Sequence, residues 1–167
     1  MTSFLIDINV WLALTWDQHP QHVAASRWYS SIDKAVLLFC RFTMLGYLRL
    51  LTNRQVMGDS TATLSGALEI YDRWRQDPRV ELAAELRATE ALFREAMAPH
   101  SNLPATKAIA DCYLVGFAEA AHACLVTFDT GLASTARFRK VPVILLKPID
   151  AAGKGRTVTR AKPAGRP

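Results

Sequence analysis

Short β-rich runs alternate with longer helical stripes along this chain, and that alternation predicts an α/β protein with a central, mostly parallel sheet of four to five strands flanked by helices. Its 167 residues suit one domain able to bury a substantial core without disulfide or metal staples. Half of them are hydrophobic and 21% charged, the balance of an ordinary globular chain.

The first strand is expected at residues 3 to 6, followed by a helix over about 9 to 16. A second helix, about 20 to 32, has Pro20 in its first turn. The second strand covers 36 to 39 and leads to a helix containing LGYLRLL, after which Gly58-Asp59-Ser60 breaks the chain and supplies a cap. Leu64, Ala67, Leu68, Tyr71 and Trp74 form an amphipathic stripe that ends at Asp77-Pro78. A short strand is expected near Val80-Glu81-Leu82. Leu92, Phe93, Ala96 and Met97 then mark a helix stopping before Pro99. The last expected helix runs from about 105 to 122, with strands at 124 to 128 and 142 to 146. The sequence shows no internal repeat and no second domain.

The net charge of +5 is unevenly placed. Lys154, Arg156, Arg160, Lys162 and Arg166 lie in the last seventeen residues, which contain no acid; without these five, basic and acidic residues balance at fifteen each. A domain over residues 1–148 and a basic, Gly/Pro-rich tail over 149–167 are therefore expected, the tail serving as a solubilising extension or an electrostatic hold on nucleic acid. Cys40, Cys112 and Cys124 are odd in number, lack metal-ligand spacing and read as reduced core thiols. The apolar runs are far shorter than a membrane span, and with no basic leader at the N-terminus a cytoplasmic location and no membrane partner are expected.

The chemistry rests on carboxylates. Asp7 stands directly behind Phe4-Leu5-Ile6 in a stretch otherwise apolar enough for core, and a buried carboxylate needs a partner. Ligands of open parallel sheets bind beyond the carboxyl ends of the strands, where Asp7 and Asp129 each follow a strand. Asp111 lies early in a helix that feeds a parallel strand, which puts it on the same rim, and Leu114, Val115 and Ala118 place it on the apolar face. Three carboxylates at one cleft resist joint ionisation unless a cation is present. Mg²⁺, with Mn²⁺ able to substitute, is the natural ion, and such a site suits hydrolysis of a phosphodiester. Asp7 and Asp129 also read as a helix cap and as turn chemistry, and Asp111 as an i, i+4 partner of Lys107.

Together FLIDINVWLAL, HPQHVAASRWY, TMLGYLRLLTN, ATKAIADCYLVGFAEAAH and CLVTFDTGL resemble the PIN-domain ribonucleases of the VapC toxin type, over most of residues 1 to 146. The resemblance implies a PIN-like fold and the toxin component of a type II toxin–antitoxin system. It further implies metal-dependent endoribonuclease activity, inhibition by a cognate antitoxin, and a homodimer. Asp7, Asp111 and Asp129 would be the catalytic and metal-binding residues, supported by Asn9 and Thr127. Such domains usually carry a further acid in the helix after the second strand, but RFTMLGYLRLL contains none, the candidate slots being Met44 and Gly46. An alternative is therefore a PIN-like module that binds RNA or antitoxin with weak or no catalysis. A haloacid-dehalogenase-like phosphatase would want an acid where Asn9 stands. Arg41, Arg49 and Arg54 are candidate RNA contacts, Arg49 alternatively pairing with a cleft carboxylate. His19 and His22 lack an acid or Cys to complete a metal set and read as surface or packing residues.

Overall fold

In the computed structural model, which describes residues 2–102, 104 and 106–149, five strands form one parallel sheet in the order β3-β2-β1-β4-β5. They are β1 (Thr2–Ile6), β2 (Ala35–Phe39), β3 (Val80–Leu82), β4 (Cys124–Thr127) and β5 (Val143–Leu145). Leu5 of the central strand is in register with Leu38 on one side and Leu125 on the other. The chain builds outward from β1 to β3, then returns to the other side of β1 to lay down β4. Strand order thus reverses between β1 and β4, the place where parallel sheets open a crevice at their carboxyl ends.

Among the described residues, eight α-helices connect and cover the sheet: α1 (Ile8–Thr15), α2 (His22–Ser31), α3 (Arg41–Leu51), α4 (Arg54–Met57), α5 (Leu64–Arg75), α6 (Thr89–Met97), α7 (Thr106–Ala120) and α8 (Thr130–Phe138). The period of two along each strand divides the core. Phe4, Ile6, Leu37, Phe39 and Val126 face α1, α3 and α5, where Trp11, Tyr47 and Tyr71 pack. Leu5, Leu38 and Leu125 face the other way, towards Val115, Phe117 and Ala118 of α7 and Leu132 of α8. Trp11 stacks on Phe39 with ring centroids 4.0 Å apart and planes 8° from parallel. Truncating such a fully buried indole typically costs about 3–5 kcal/mol.

Several boundaries differ from the sequence expectation. Pro20 lies in the turn before α2, whose N-cap is Gln21. Gly58-Asp59-Ser60 forms a short 3-10 turn, with Gly58 at φ 54°, and the cap of α5 is supplied instead by Thr63, whose hydroxyl accepts from the Gly66 N–H. Helix α6 does stop before Pro99, ending at Met97, and Pro99 lies in the 3-10 turn that follows it. Asp129-Thr130-Gly131 opens a full helix, α8, and α4 is a one-turn helix that no apolar stripe announces. Of the expected basic tail, residues 150–167 lie outside the described residues.

Away from the β1–β4 crevice, Asp77 ties the edge of the sheet together. It accepts the Arg79 N–H (2.9 Å) and guanidinium (2.8 Å) and the Tyr29 hydroxyl, while Arg79 also donates to the Ile32 carbonyl (2.9 Å). The Arg79 hydrogen bonds hold the Asp77 carboxyl well below the usual range. No described helix is long and apolar enough to cross a membrane.

Candidate active site

Asp7 is the first residue beyond β1 and the N-cap of α1, so its backbone is fixed by both elements. Only 7% of it is exposed. Its Oδ1 accepts the Ile8 N–H (2.7 Å) and its Oδ2 the Thr127 hydroxyl (2.6 Å). Capping and a place in the acid cleft are thus compatible roles for one carboxylate. Burial is the largest influence and pushes its pKa up to about 6 despite these two hydrogen bonds; the charges of Asp111 and Asp129 push the same way.

Thr127, wholly buried at the end of β4, joins the two strands. Its Oγ1 donates to Asp7 and accepts from the Asp129 N–H (2.9 Å) and from Asn9 Nδ2 (3.3 Å). Asn9 Oδ1 in turn accepts the Phe128 N–H (3.4 Å). Asn9 therefore reaches Asp7 through Thr127 and does not cap α1. The pair sews α1 to the β4 rim.

Asp129 caps α8 by accepting the Gly131 N–H (2.7 Å) and the Leu132 N–H (3.3 Å). Its Oδ2 lies 2.8 Å from Lys107 Nζ. The Lys107 hydrogen bond is the main reason its pKa is lowered. Sequence spacing pairs Lys107 with Asp111, one turn on, but the structure gives it to Asp129 because α8 brings that carboxylate alongside α7. Asp111, half-buried on α7, is raised, first by burial and then by the charge of Asp129, with Lys107 and His100 opposing. No hydrogen bond to the Asp111 carboxylate occurs among the described residues.

A side chain at Gly131 would place its Cβ 3.1 Å from Asp129 Oδ1 and 3.9 Å from Asp111 Oδ2. Glycine therefore leaves open the space that these two carboxylates border. A cleft of about 430 Å³ begins here, lined by His100, Lys107, Asp111, Gly131 and Thr135. His100 and Gly131 carried no sequence signal, since both depend on α6 and α8 packing against α7. Among the described residues no three Asp, Glu, His or Cys side chains stand close enough together to hold a metal ion as placed. The chemistry of the donors nevertheless fits one. All are carboxylate oxygens, the charge of Asp129 helps to raise the pKa of both Asp7 and Asp111, and Lys107 already stands among them as a positive charge felt by all three.

The remaining sequence candidates lie elsewhere. Arg41, Arg49 and Arg54 are exposed, and none forms an ion pair with a cleft acid among the described residues, which corrects the carboxylate partner considered for Arg49. Met44 packs against the first core, and Gly46 abuts Ile8, whose Cδ1 would lie 2.3 Å from an added Cβ. An acid at position 46 would have to displace that side chain. His22 bonds the Ala13 carbonyl (2.8 Å) and Ser26 (3.2 Å), and His19 Nδ1 accepts the Gln21 N–H (3.1 Å). Both histidines are occupied in local packing.

Residues 4–138 match the PIN domain family. Ribonuclease VapC41 of Mycobacterium tuberculosis is 40% identical over 131 residues, covering 75% of this chain and 88% of the relative. Ribonuclease VapC39 of the same organism is 30% identical over 148 residues, covering 84% and 98%. Among solved structures, VapBC-1 of nontypeable Haemophilus influenzae superposes with a TM-score of 0.62 at 10% identity, covering 86% of this chain and 98% of that one. The VapC20 toxin of Mycobacterium tuberculosis, described as cleaving the sarcin-ricin loop, gives 0.57 at 16% identity over 78% and 93%. The structural likenesses establish the fold, and the sequence matches, which run from β1 through α8, establish the lineage: this chain belongs to the PIN-domain family, among the VapC ribonucleases.

Proposed function

We propose that the chain is an endoribonuclease toxin that cuts RNA phosphodiesters with a divalent ion, Mg²⁺ or Mn²⁺, held by Asp7, Asp111 and Asp129. The observation that carries this reading is the gathering of these acids at the β1–β4 reversal, with Asp7 buried and its pKa raised. When bound, the ion supplies Lewis acidity and a lowered water pKa for in-line attack on the phosphorus.

The protein's own contribution is positional. Thr127 fixes one Asp7 oxygen and Ile8 the other, leaving each oxygen a further lone pair. Asp111, without a hydrogen bond of its own, is the carboxylate best able to turn towards an ion or to accept a proton from the attacking water. Lys107 and His100 line the cleft and offset the repulsion between acids and an incoming phosphate. Arg41, Arg49 and Arg54, exposed on α3 and α4, are RNA contacts in this reading.

The VapBC neighbours support a cognate antitoxin as partner. Self-association is supported by Phe42 and Leu45 of α3 and Ile109 of α7, large apolar side chains left exposed on two helices that the Phe42–Tyr113 ring contact joins (centroids 5.5 Å). A binding module without catalysis is the second reading. It is favoured by the open spacing of the acids and by the absence of any acid from α3.

RNA incubated with the chain and Mg²⁺ should be cleaved, with loss of about a hundredfold or more in rate for Asp111→Asn and in excess chelator. Circular dichroism should show the same fold in each case, because neither core includes the acids. Cleavage that persists in chelator would reject the metal-dependent reading, and a parent that binds RNA without cutting it would select the binding module.

A further inference from the structure

Among the described residues lining the acid cleft, Lys107 is the one lysine or arginine. Lys107 projects from the first turn of α7, one turn before Asp111, and its Nζ lies 2.8 Å from Asp129 Oδ2. Its side chain is 74% exposed, so this single ion pair, and no packing, holds it over the cleft. The Asp129 hydrogen bond raises its pKa, with Asp111 and Asp7 adding to the effect, so the ammonium sits within the field of the whole cluster.

Charge counting then restricts what the cluster can accept. Three carboxylates carry three negative charges, which one divalent ion and one ammonium neutralise; a second divalent ion would leave the cleft positive. The neighbouring rim element, α3, begins at the carboxyl end of β2 and has no carboxylate anywhere in RFTMLGYLRLL. Asp129 is the acid on which a second ion would have to draw, and its Oδ1 already accepts two backbone N–H groups while its Oδ2 holds the ammonium. An ammonium at that oxygen occupies the position of a cation and repels another.

We propose that Lys107 is the built-in second cation of the acid cleft, held on Asp129 so that the cleft takes a single divalent ion. This rests on the metal-site reading above. It explains how a cluster of three acids, rather than more, can balance its charge around a phosphodiester. The ammonium remains beside the ion as a fixed charge for the phosphate, and being so exposed it can turn from Asp129 to a phosphate oxygen without moving α7.

The test is titration of Mn²⁺ into the full chain at low ionic strength, with free Mn²⁺ read by electron paramagnetic resonance, for the parent, Lys107→Met and Lys107→Arg. Thermal melts serve as the folding control, since so exposed a side chain should leave the fold unchanged. The parent should take one ion. Lys107→Met should bind its first ion about tenfold more tightly, on the order expected for loss of one adjacent charge, and should accept a second. Lys107→Arg should match the parent. A parent that takes one ion, with Lys107→Met unchanged in number and affinity, would overturn the role of Lys107 and leave the metal site standing. A parent that already takes two would overturn it as well. If only Lys107→Met binds Mn²⁺, the lysine excludes the metal outright and the proposal falls, because it requires the parent to take one ion; if neither binds, both the proposal and the metal site fall.

Discussion

Asp7 concentrates the tension of the fold in one side chain. A carboxylate between Ile6 and Ile8 is conspicuous in the sequence because everything around it is apolar, and its burial, its cap on α1 and its bond to Thr127 all follow from that position. The pairing of Lys107 with Asp129 has no comparable signal, because it joins residues whose closeness depends on how α8 settles against α7. The sign of the Asp7 effect on stability is definite. A pKa raised from 3.8 to about 6 means that Asp7 favours the folded state below pH 4 and that this contribution is lost as pH rises through 6. The difference in unfolding free energy between Asp7→Asn and the parent should therefore shift by about 3 kcal/mol in favour of the variant from pH 4 to 7, read from urea denaturation at both pH values. A difference that does not change with pH would mean that Asp7 is solvated in the folded protein.

Helix α7 carries both Lys107 and Asp111, and its position is set by close approach to α6. A Cβ on Gly116 would lie 2.6 Å from the Phe93 nitrogen and 2.8 Å from its Cα, backbone atoms that cannot turn aside. Gly116→Ala should therefore destabilise the protein by about 3 kcal/mol, at the upper end of overpacking effects, and lower metal affinity by moving Asp111. A thermal melt and a Mn²⁺ titration of the same sample check both; an unchanged melting temperature would show that α6 is free to move away. Helices with an apolar stripe, such as α5, can be read directly from the chain. Helix α8 is concealed because its opening Asp-Thr-Gly has the composition of a turn, although Asp129 uses the same oxygen to cap a helix of nine residues. Gly58-Asp59-Ser60 misleads in the opposite sense, since the cap of α5 comes from Thr63.

The assembled molecule adds what neither residues nor helices specify. Parallel strands are recognisable one by one, including the three-residue β3, but the order β3-β2-β1-β4-β5 is a matter of long-range pairing that no local pattern encodes. That order brings the ends of β1 and β4 together, where Thr127 hydrogen-bonds both Asp7 and the Asp129 backbone, while Asp111 is delivered by the helix that precedes β4. The family to which the chain belongs agrees with this architecture. Because the two hydrophobic cores meet on the sheet without the acids, a divalent ion should act on the rim and not on folding as a whole. The direct test is calorimetric titration of Mn²⁺ into the parent and into Asp7→Asn, followed by RNA cleavage on the same samples. The acid-cleft account predicts that the parent binds the ion and cuts RNA, and that the variant loses both together while remaining folded. Equal binding and cleavage by the folded variant, or cleavage by a parent that binds no ion, would contradict it.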